Sequence, residues 1–337
     1  MFKIVNIFIL CLFFTNSVVY AESISNKKSH LVVDVNNGEF LEENNAFEQR
    51  YPASLTKVMT LYIVFEELNS GRLSMDSLIP ISKNASSKPA SKLYMKTGSS
   101  ISVENAINAL IINSANDIAV AVAEKISGTE EKFAQRMTAT AKVLGMVRTE
   151  FRNASGLPNS EQVTSAHDMY LLALAIQDSF PQYYKFFNKE KWTYMGKTYS
   201  THNHLVKLDG VDGLKTGYIS ASGYNLITNY KKNGKHLIGV VLGQDSSANR
   251  NKFMVSILQS AAKIAYAGAR KTEKYFLAES VRLEDAFVGS AMFIPKKPDR
   301  VFLMRENDML SANIKKINQE FKSREHFNGI LSFPEAD

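Results

Sequence analysis

Cysteine is nearly missing from this 337-residue chain. Cys11 is the only one, and it falls in the N-terminal leader described below. A disulfide-stapled scaffold, a cysteine-ligated zinc site and a thiolate nucleophile are therefore excluded for everything after the leader. Long apolar runs are scarce as well. Ile4 to Phe14 stands out, and it is too short to cross a bilayer comfortably. There is no His-Glu-x-x-His pair to hold a catalytic zinc and no Gly-x-Ser-x-Gly elbow to present a hydrolase serine. His202-Asn203-His204 would put two imidazoles on one strand face without a third ligand, and reads as structure or as part of a substrate groove rather than as a metal site. No nucleic-acid-binding module is recognisable, and nothing requires a cofactor.

What is present is ordinary for a globular protein: 45% hydrophobic and 22% charged residues, in a length that holds one large domain or two. Residues 1–21 differ. Lys3 is followed by the apolar run, and Val19-Tyr20-Ala21 ends it with small residues where a leader peptidase cuts. This reads as a secretory signal peptide, so the protein is expected to be exported to the periplasm or cell envelope. Leu10 before Cys11 is not the small residue that a lipidation site prefers. The formal charge is +7, and removing the leader with its Lys3 leaves +6. Such a surface is drawn to anionic wall polymer or membrane.

His30 to Val35, Asn36-Asn37-Gly38 and Glu39 to Leu41 read as a strand, a tight turn and a strand. Pro52 opens a helix that runs from Leu55 to Leu68 and stops at Asn69-Ser70-Gly71. Residues 72–100 read as irregular. Ser102 is a helix cap for an apolar series from Val103 to Ile111, and Ile118 to Ile126 forms a second apolar helix, with Ser114 and Asn116 on the bend between them. Further helices are expected over Phe133–Leu144 and Ala166–Gln177. Short strands follow at Trp192–Met195, His204–Lys207, Tyr224–Tyr230 and His236–Leu242, and a closing helix at Arg250–Ala267. Strand and helix, then helices only, then strands and a last helix predict an α/β chain of the α+β kind. Its antiparallel sheet would be built from both ends of the domain, flanked by helices, with an all-helical subdomain inserted.

Three short motifs carry chemistry. Ser54 and Lys57 lie three apart at a helix entry, on one face, so that an amine can serve a serine nucleophile. Ser-x-x-Lys occurs three times, at Ser25, Ser54 and Ser260; Ser-x-Asn occurs at Ser82, Ser114, Ser247 and Ser311; Lys-Thr-Gly occurs at Lys96 and Lys215. Taken singly, each match is more often a solvated helix pair, a cap or a turn. Context selects Ser54/Lys57 at the helix entry, Ser114/Asn116 on the bend and Lys215-Thr216-Gly217, which precedes a turn and a strand pair where it could line a sheet edge.

Taken together, Pro52-Ala53-Ser54-Leu55-Thr56-Lys57, Ser114-Ala115-Asn116-Asp117, Ser165-Ala166-His167-Asp168-Met169, Val211-Asp212-Gly213-Leu214-Lys215-Thr216-Gly217 and Ala221-Ser222-Gly223-Tyr224-Asn225-Leu226 resemble the D-alanyl-D-alanine carboxypeptidases, the low-molecular-mass penicillin-binding proteins, over residues 28–268. The resemblance implies a β-lactamase/transpeptidase-like fold. It also implies removal of the terminal D-alanine from peptidoglycan stem peptides ending in D-Ala-D-Ala, with β-lactam antibiotics as inhibitors. It makes Ser54 the nucleophile, Lys57 its base, Ser114 a proton relay and Asn116 a holder of the substrate amide. Lys215, Thr216 and Gly217 would line the substrate site, Arg250 would pair with the terminal carboxylate, and the backbone N–H groups of Ser54 and Tyr218 would form the oxyanion hole. A D,D-endopeptidase acting on cross-links would use the same residues. A class A β-lactamase would add a Glu-x-x-Leu-Asn loop, which neither Glu150 nor Glu161 begins. Residues 269–337 read as a short extension, a reduced β-rich domain without an amphipathic membrane helix at its end.

Overall fold

The computed structural model describes residues 28–270. The leader and nearly all of the C-terminal extension lie outside the described residues.

The sheet is assembled from distant parts of the chain. Strands β1 (Ser29–Asp34) and β2 (Glu39–Asn44) form the expected hairpin; Asp34 and the positive φ of Gly38 close its turn. After helix α1 (Thr56–Asn69) come the short strand β3 (Leu78–Pro80), helix α2 (Lys83–Ser87) and strand β4 (Ser100–Ser102). Helices α3 (Val103–Asn108), α4 (Asn116–Ser127), α5 (Glu130–Val143), α6 (Ala166–Ser179) and α7 (Pro181–Tyr184) follow. A second hairpin, β5 (Lys191–Tyr194) and β6 (Lys197–Ser200), precedes the three long strands β7 (Val211–Ile219), β8 (Gly223–Lys232) and β9 (Lys235–Gln244). Helix α8 (Ser247–Ile264) ends the series.

The main sheet runs β2-β1-β9-β8-β7, antiparallel throughout. The first strand thus pairs with the last, as the order of the pattern predicts. Its centre is apolar on both faces because helices cover both. Val32, Leu226, Leu237 and Val241 pack against Met254, Ile257, Leu258 and Ala261 of α8. Gly239 lets α8 lie close, since a Cβ there would come 2.7 Å from Met254 Sδ. Helix α6 packs on β9 and β1 from the other side, and α1 joins it to α4 and α5. The β2 edge carries Glu39, Glu42 and Glu43, charges that discourage pairing with another chain. The β7 edge carries Lys215, Thr216, Gly217 and Tyr218, the candidate substrate-site residues.

Three expectations are corrected or extended. His204–Lys207 is a 3₁₀ turn rather than a strand, because the Asn203 carboxamide accepts the Leu205 N–H at 3.2 Å and caps it; the two imidazoles therefore share no strand face. Lys215 does line the sheet edge ahead of a turn and the pair β8–β9, but it does so from a nine-residue strand, β7, that was not expected; Gly210, Gly213 and Gly217 break the apolar alternation that would have marked it. Residues 72–100 are less irregular than their polar composition suggests, since β3 pairs with β4. Among the described residues no helix is long and apolar enough to cross a membrane.

Candidate active site

Ser54 sits in a 3₁₀ turn, Ala53–Leu55, that leads directly into α1. Ala53 has φ +48°, a left-handed conformation that costs a residue with a side chain about 1–3 kcal/mol and persists only where its surroundings impose it. Two neighbours do so. Asn225 of β8 donates its amide to the carbonyls of Tyr51 (3.0 Å) and Pro52 (3.2 Å) and accepts the Gly243 N–H at 2.9 Å, tying the turn to two strands. Gly156 (φ +84°) lies against the other side: a Cβ on it would fall 1.9 Å from the Ala53 carbonyl oxygen and 2.9 Å from Ser54 N.

One helical turn on, Lys57 is fully buried. Its Nζ meets Ser54 Oγ at 3.1 Å and Asn116 Oδ1 at 2.8 Å, and it donates to the Ser155 carbonyl. Burial, and then the nearby Lys215 cation, hold its pKa well below that of an ordinary lysine; Asp117 and Glu130 oppose this more weakly. Two of its three partners are carbonyl oxygens that only accept. A neutral amine donates two hydrogen bonds and keeps one lone pair, and Ser54 Oγ is the partner left to meet it.

The bend expected between two helices is a π-helical segment, Ala109–Asn113, which ends at Ser114 in the left-handed region (φ 58°, ψ 38°). π-turns recur at functional sites because they re-aim a side chain. Ser114 and Asn116 are both nearly buried. Asn116 is held by protein groups at both ends of its amide. Its Oδ1 is taken by Lys57, and its Nδ2 donates to the Pro89 carbonyl at 2.9 Å. Next to it, the Asp117 carboxylate accepts the backbone N–H groups of Leu93 (3.0 and 3.1 Å) and Met95 (3.4 Å), fastening the 89–95 loop beside the site.

Strand β7 supplies the third wall. A Cβ on Gly217 would lie 3.0 Å from the Pro52 carbonyl and 3.2 Å from Ser54 N, a tight fit against backbone, so glycine here eases the close approach of the strand to the serine turn. Lys215 is 2% exposed; burial, and then Arg250, push its pKa down to about 7. Arg250, in the first turns of α8, is 4% exposed and lowered to about 10 chiefly by burial. Thr216 is nearly buried, whereas Tyr218 is 52% exposed and packs on Tyr224 at 4.3 Å between ring centres. His202 stands among these groups. Desolvation, followed by Lys215, His204, Arg250 and Lys57, brings its pKa down to about 4, so it is neutral at pH 7.

The sequence reading passed over several residues that shape this site. Ser155 and Gly156 act through a backbone carbonyl and a missing side chain, which leave no motif in the sequence. Asn153 Oδ1 accepts the Ser155 and Gly156 N–H groups at 3.2 and 2.7 Å and sets that turn. Asp212 was noted as part of a longer motif without a role. Its Oδ1 accepts from Tyr184 Oη and Asn229 Nδ2, both at 2.8 Å, while the Gly213 carbonyl accepts from Asn203 (2.8 Å) and Thr228 (2.9 Å). These bonds hold the irregularity in β7 between Asp212 and Lys215. Ser165 caps α6, and Asp168 accepts Arg148 N and Thr149 Oγ1, so that motif is structural.

A serine one helical turn from a buried, deprotonation-prone lysine, at the edge strand of an antiparallel sheet covered by helices, defines the β-lactamase/transpeptidase-like class. The comparisons agree. The profile of the D-alanyl-D-alanine carboxypeptidase family matches residues 16–246, and the chain belongs to that family. It is 34% identical over 232 residues to D-alanyl-D-alanine carboxypeptidase DacD of Escherichia coli K12, a match covering 66% of this chain and 60% of that protein. The matched stretch thus spans about three fifths of the relative's length. Among solved structures, DacD from Francisella tularensis is 34% identical with a TM-score of 0.67, covering 69% of this chain and 70% of that one. Penicillin-binding protein D2 of Listeria monocytogenes in its ampicillin-bound form is 30% identical with a TM-score of 0.64, covering 71% and 97%.

Proposed function

We propose that this protein is an exported serine-type D-Ala-D-Ala carboxypeptidase that trims peptidoglycan stem peptides and is acylated by penicillins. The observation that carries the reading is the 3.1 Å contact between Ser54 Oγ and a Lys57 amine whose pKa is lowered well below that of an ordinary lysine by burial and then by Lys215.

In this reading Ser54 Oγ attacks the carbonyl carbon of the penultimate D-alanine while Lys57 Nζ takes the hydroxyl proton. The oxygen of the tetrahedral intermediate is held by the backbone N–H groups of Ser54 and Tyr218; the close approach of Gly217 to Ser54 supports that pairing. As the C–N bond breaks, Lys57 returns that proton through Ser114 to the departing amine, and free D-alanine leaves. Water then attacks the Ser54 ester, giving its proton to Lys57, which passes it to Ser54 Oγ as the ester C–O bond breaks and the shortened peptide is released. Asn116 serves mainly to orient Lys57 through Oδ1, with its second amide N–H left for substrate. Arg250, a planar fork of donors, and the Lys215–Thr216 edge receive the terminal carboxylate. No step needs a metal or cofactor.

The test is intact mass after incubation with a penicillin, together with D-alanine release from a pentapeptide. The expected result is a single long-lived adduct on Ser54, and a Ser54→Ala variant that keeps the wild-type melting temperature with neither adduct nor turnover. Pentapeptide hydrolysis unchanged in Ser54→Ala would sink the assignment. Rapid loss of the adduct with consumption of the drug would point to a β-lactamase instead.

A further inference from the structure

The hairpin β5–β6 is a sheet of its own and pairs with no strand of the main sheet. A two-stranded hairpin has little stability alone in water, so something must hold it and something must justify it. Trp192 holds it. This side chain is nearly buried, and its indole N–H donates to Asn105 of α3 at 3.3 Å. The justification lies in what surrounds the indole. Trp192 and Tyr194 alternate onto one face of β5, and cross-strand pairing puts Tyr199 and Lys197 of β6 on the same face. Three rings form one near-parallel column, Tyr194 at 5.1 Å and Tyr199 at 5.4 Å from Trp192, and the Lys197 ammonium lies 4.9 Å from the Tyr199 ring. Both tyrosines are half-exposed, and Met195 at the tip is 81% exposed. The opposite face offers hydroxyls of Thr193, Thr198 and Ser200.

The hairpin is also continuous with the site. Thr201 N donates to the Glu190 carbonyl at 2.8 Å and closes its base. The next residue is His202, and Asn203 is bonded to Gly213 of β7. Strand β6 lies against the π-helical turn that ends in Ser114. Charge there is positive: Lys189, Lys191 and Lys197 outnumber Glu190, which itself faces Lys207 at 3.9 Å.

We propose that this hairpin is a docking platform for the glycan strand of polymeric peptidoglycan, engaging the sugars next to the stem peptide that enters the site. The inference rests on the carboxypeptidase reading above. Half-exposed rings with an apolar body and a wet hydroxyl suit the flat, hydroxyl-rimmed faces of N-acetylated sugars. The lysines suit the carboxylates that the stem peptides carry. A free pentapeptide needs only the Ser54 cleft and gains nothing from the platform.

The experiment compares kcat/KM for a disaccharide-pentapeptide with that for the free pentapeptide, in wild type and in Tyr194→Ala and Lys197→Glu, two substitutions on the exposed hairpin. Wild type is expected to prefer the sugar-bearing substrate by about three- to tenfold, the size of one aromatic contact. Each variant is expected to lose most of that preference while its rate on the free pentapeptide stays unchanged. Equal rates on the two substrates in wild type, or a preference retained in both variants, would overturn the platform. Trp192 is the only tryptophan in the chain, so its fluorescence reports from the hairpin itself. If the free pentapeptide releases no D-alanine, the carboxypeptidase reading fails, and the platform is then decided by whether the disaccharide fragment shifts Trp192 emission.

Discussion

Gly156 lies beneath Ala53 so tightly that one methyl group on it would sit 1.9 Å from the Ala53 carbonyl oxygen. The residue before the candidate nucleophile and a glycine about a hundred positions later therefore define one conformation together. Gly156→Ala is expected to push the Ser54 turn off Lys57 and to strain a backbone at φ +84°. Penicillin acylation should fall at least about a hundredfold, as misplacement by an ångström does, and stability by about 1–3 kcal/mol. Acylation kinetics and thermal melts check both.

Asn116 Oδ1 is 2.8 Å from Lys57 Nζ. Replacing Asn116 by Asp puts a carboxylate there, which favours the ammonium and raises the Lys57 pKa. Since the base acts in its neutral form, the rate in wild type rises with pH as Lys57 deprotonates. In Asn116→Asp that rise should move to higher pH by roughly 1–3 units, with activity poor at neutral pH and partly restored in alkali. The pH profile of penicillin acylation measures it.

Lys215 has a folded pKa of about 7, against 10.5 in the unfolded chain. Below about pH 7 both states are protonated and the charge stays buried at full cost. Between 7 and 10.5 only the unfolded state holds the proton, so the contribution of this residue to stability improves as pH rises through that window. Lys215→Met should therefore abolish turnover while raising stability at pH 7 by on the order of 1 kcal/mol. The gain should shrink as pH increases. Thermal melts at several pH values test the sign.

Tyr184 and Asn229 both donate to Asp212, and this holds the irregular stretch of β7 ahead of Lys215. Tyr184→Phe removes one bond at a cost of about 1 kcal/mol. Asp212→Ala removes both and should lower kcat/KM by about tenfold or more, mainly through KM, because the edge that receives the carboxylate loosens while Ser54 and Lys57 stay in place. Asp212→Asn, which can still accept through its carbonyl oxygen, should recover much of the loss. A merely structural role would show as equal losses in the two variants.

Much of the site was legible because its chemistry is local. Ser54 and Lys57 are one helical turn apart, and Ser114 and Asn116 flank one bend, so a short window of sequence contains each pair. The order of strands and helices likewise implied a sheet joined from both ends, since the apolar segments of β1, β8 and β9 have no other place to be buried. The sequence by itself thus determined the candidate reacting groups, their separate frames and the class of fold.

Tertiary structure alone decided how those frames meet. Gly156 and Gly217 act by lacking a side chain, and the close approach they permit exists only once distant segments pack. Ser155 contributes a backbone carbonyl, which every residue has. The lowered pKa of Lys57 depends on burial and on Lys215, 158 positions away, and no spacing in the chain encodes that distance. The contact between Asn116 and Lys57 has the same origin: a carboxamide can bond in several directions, and only the assembled packing chooses among them.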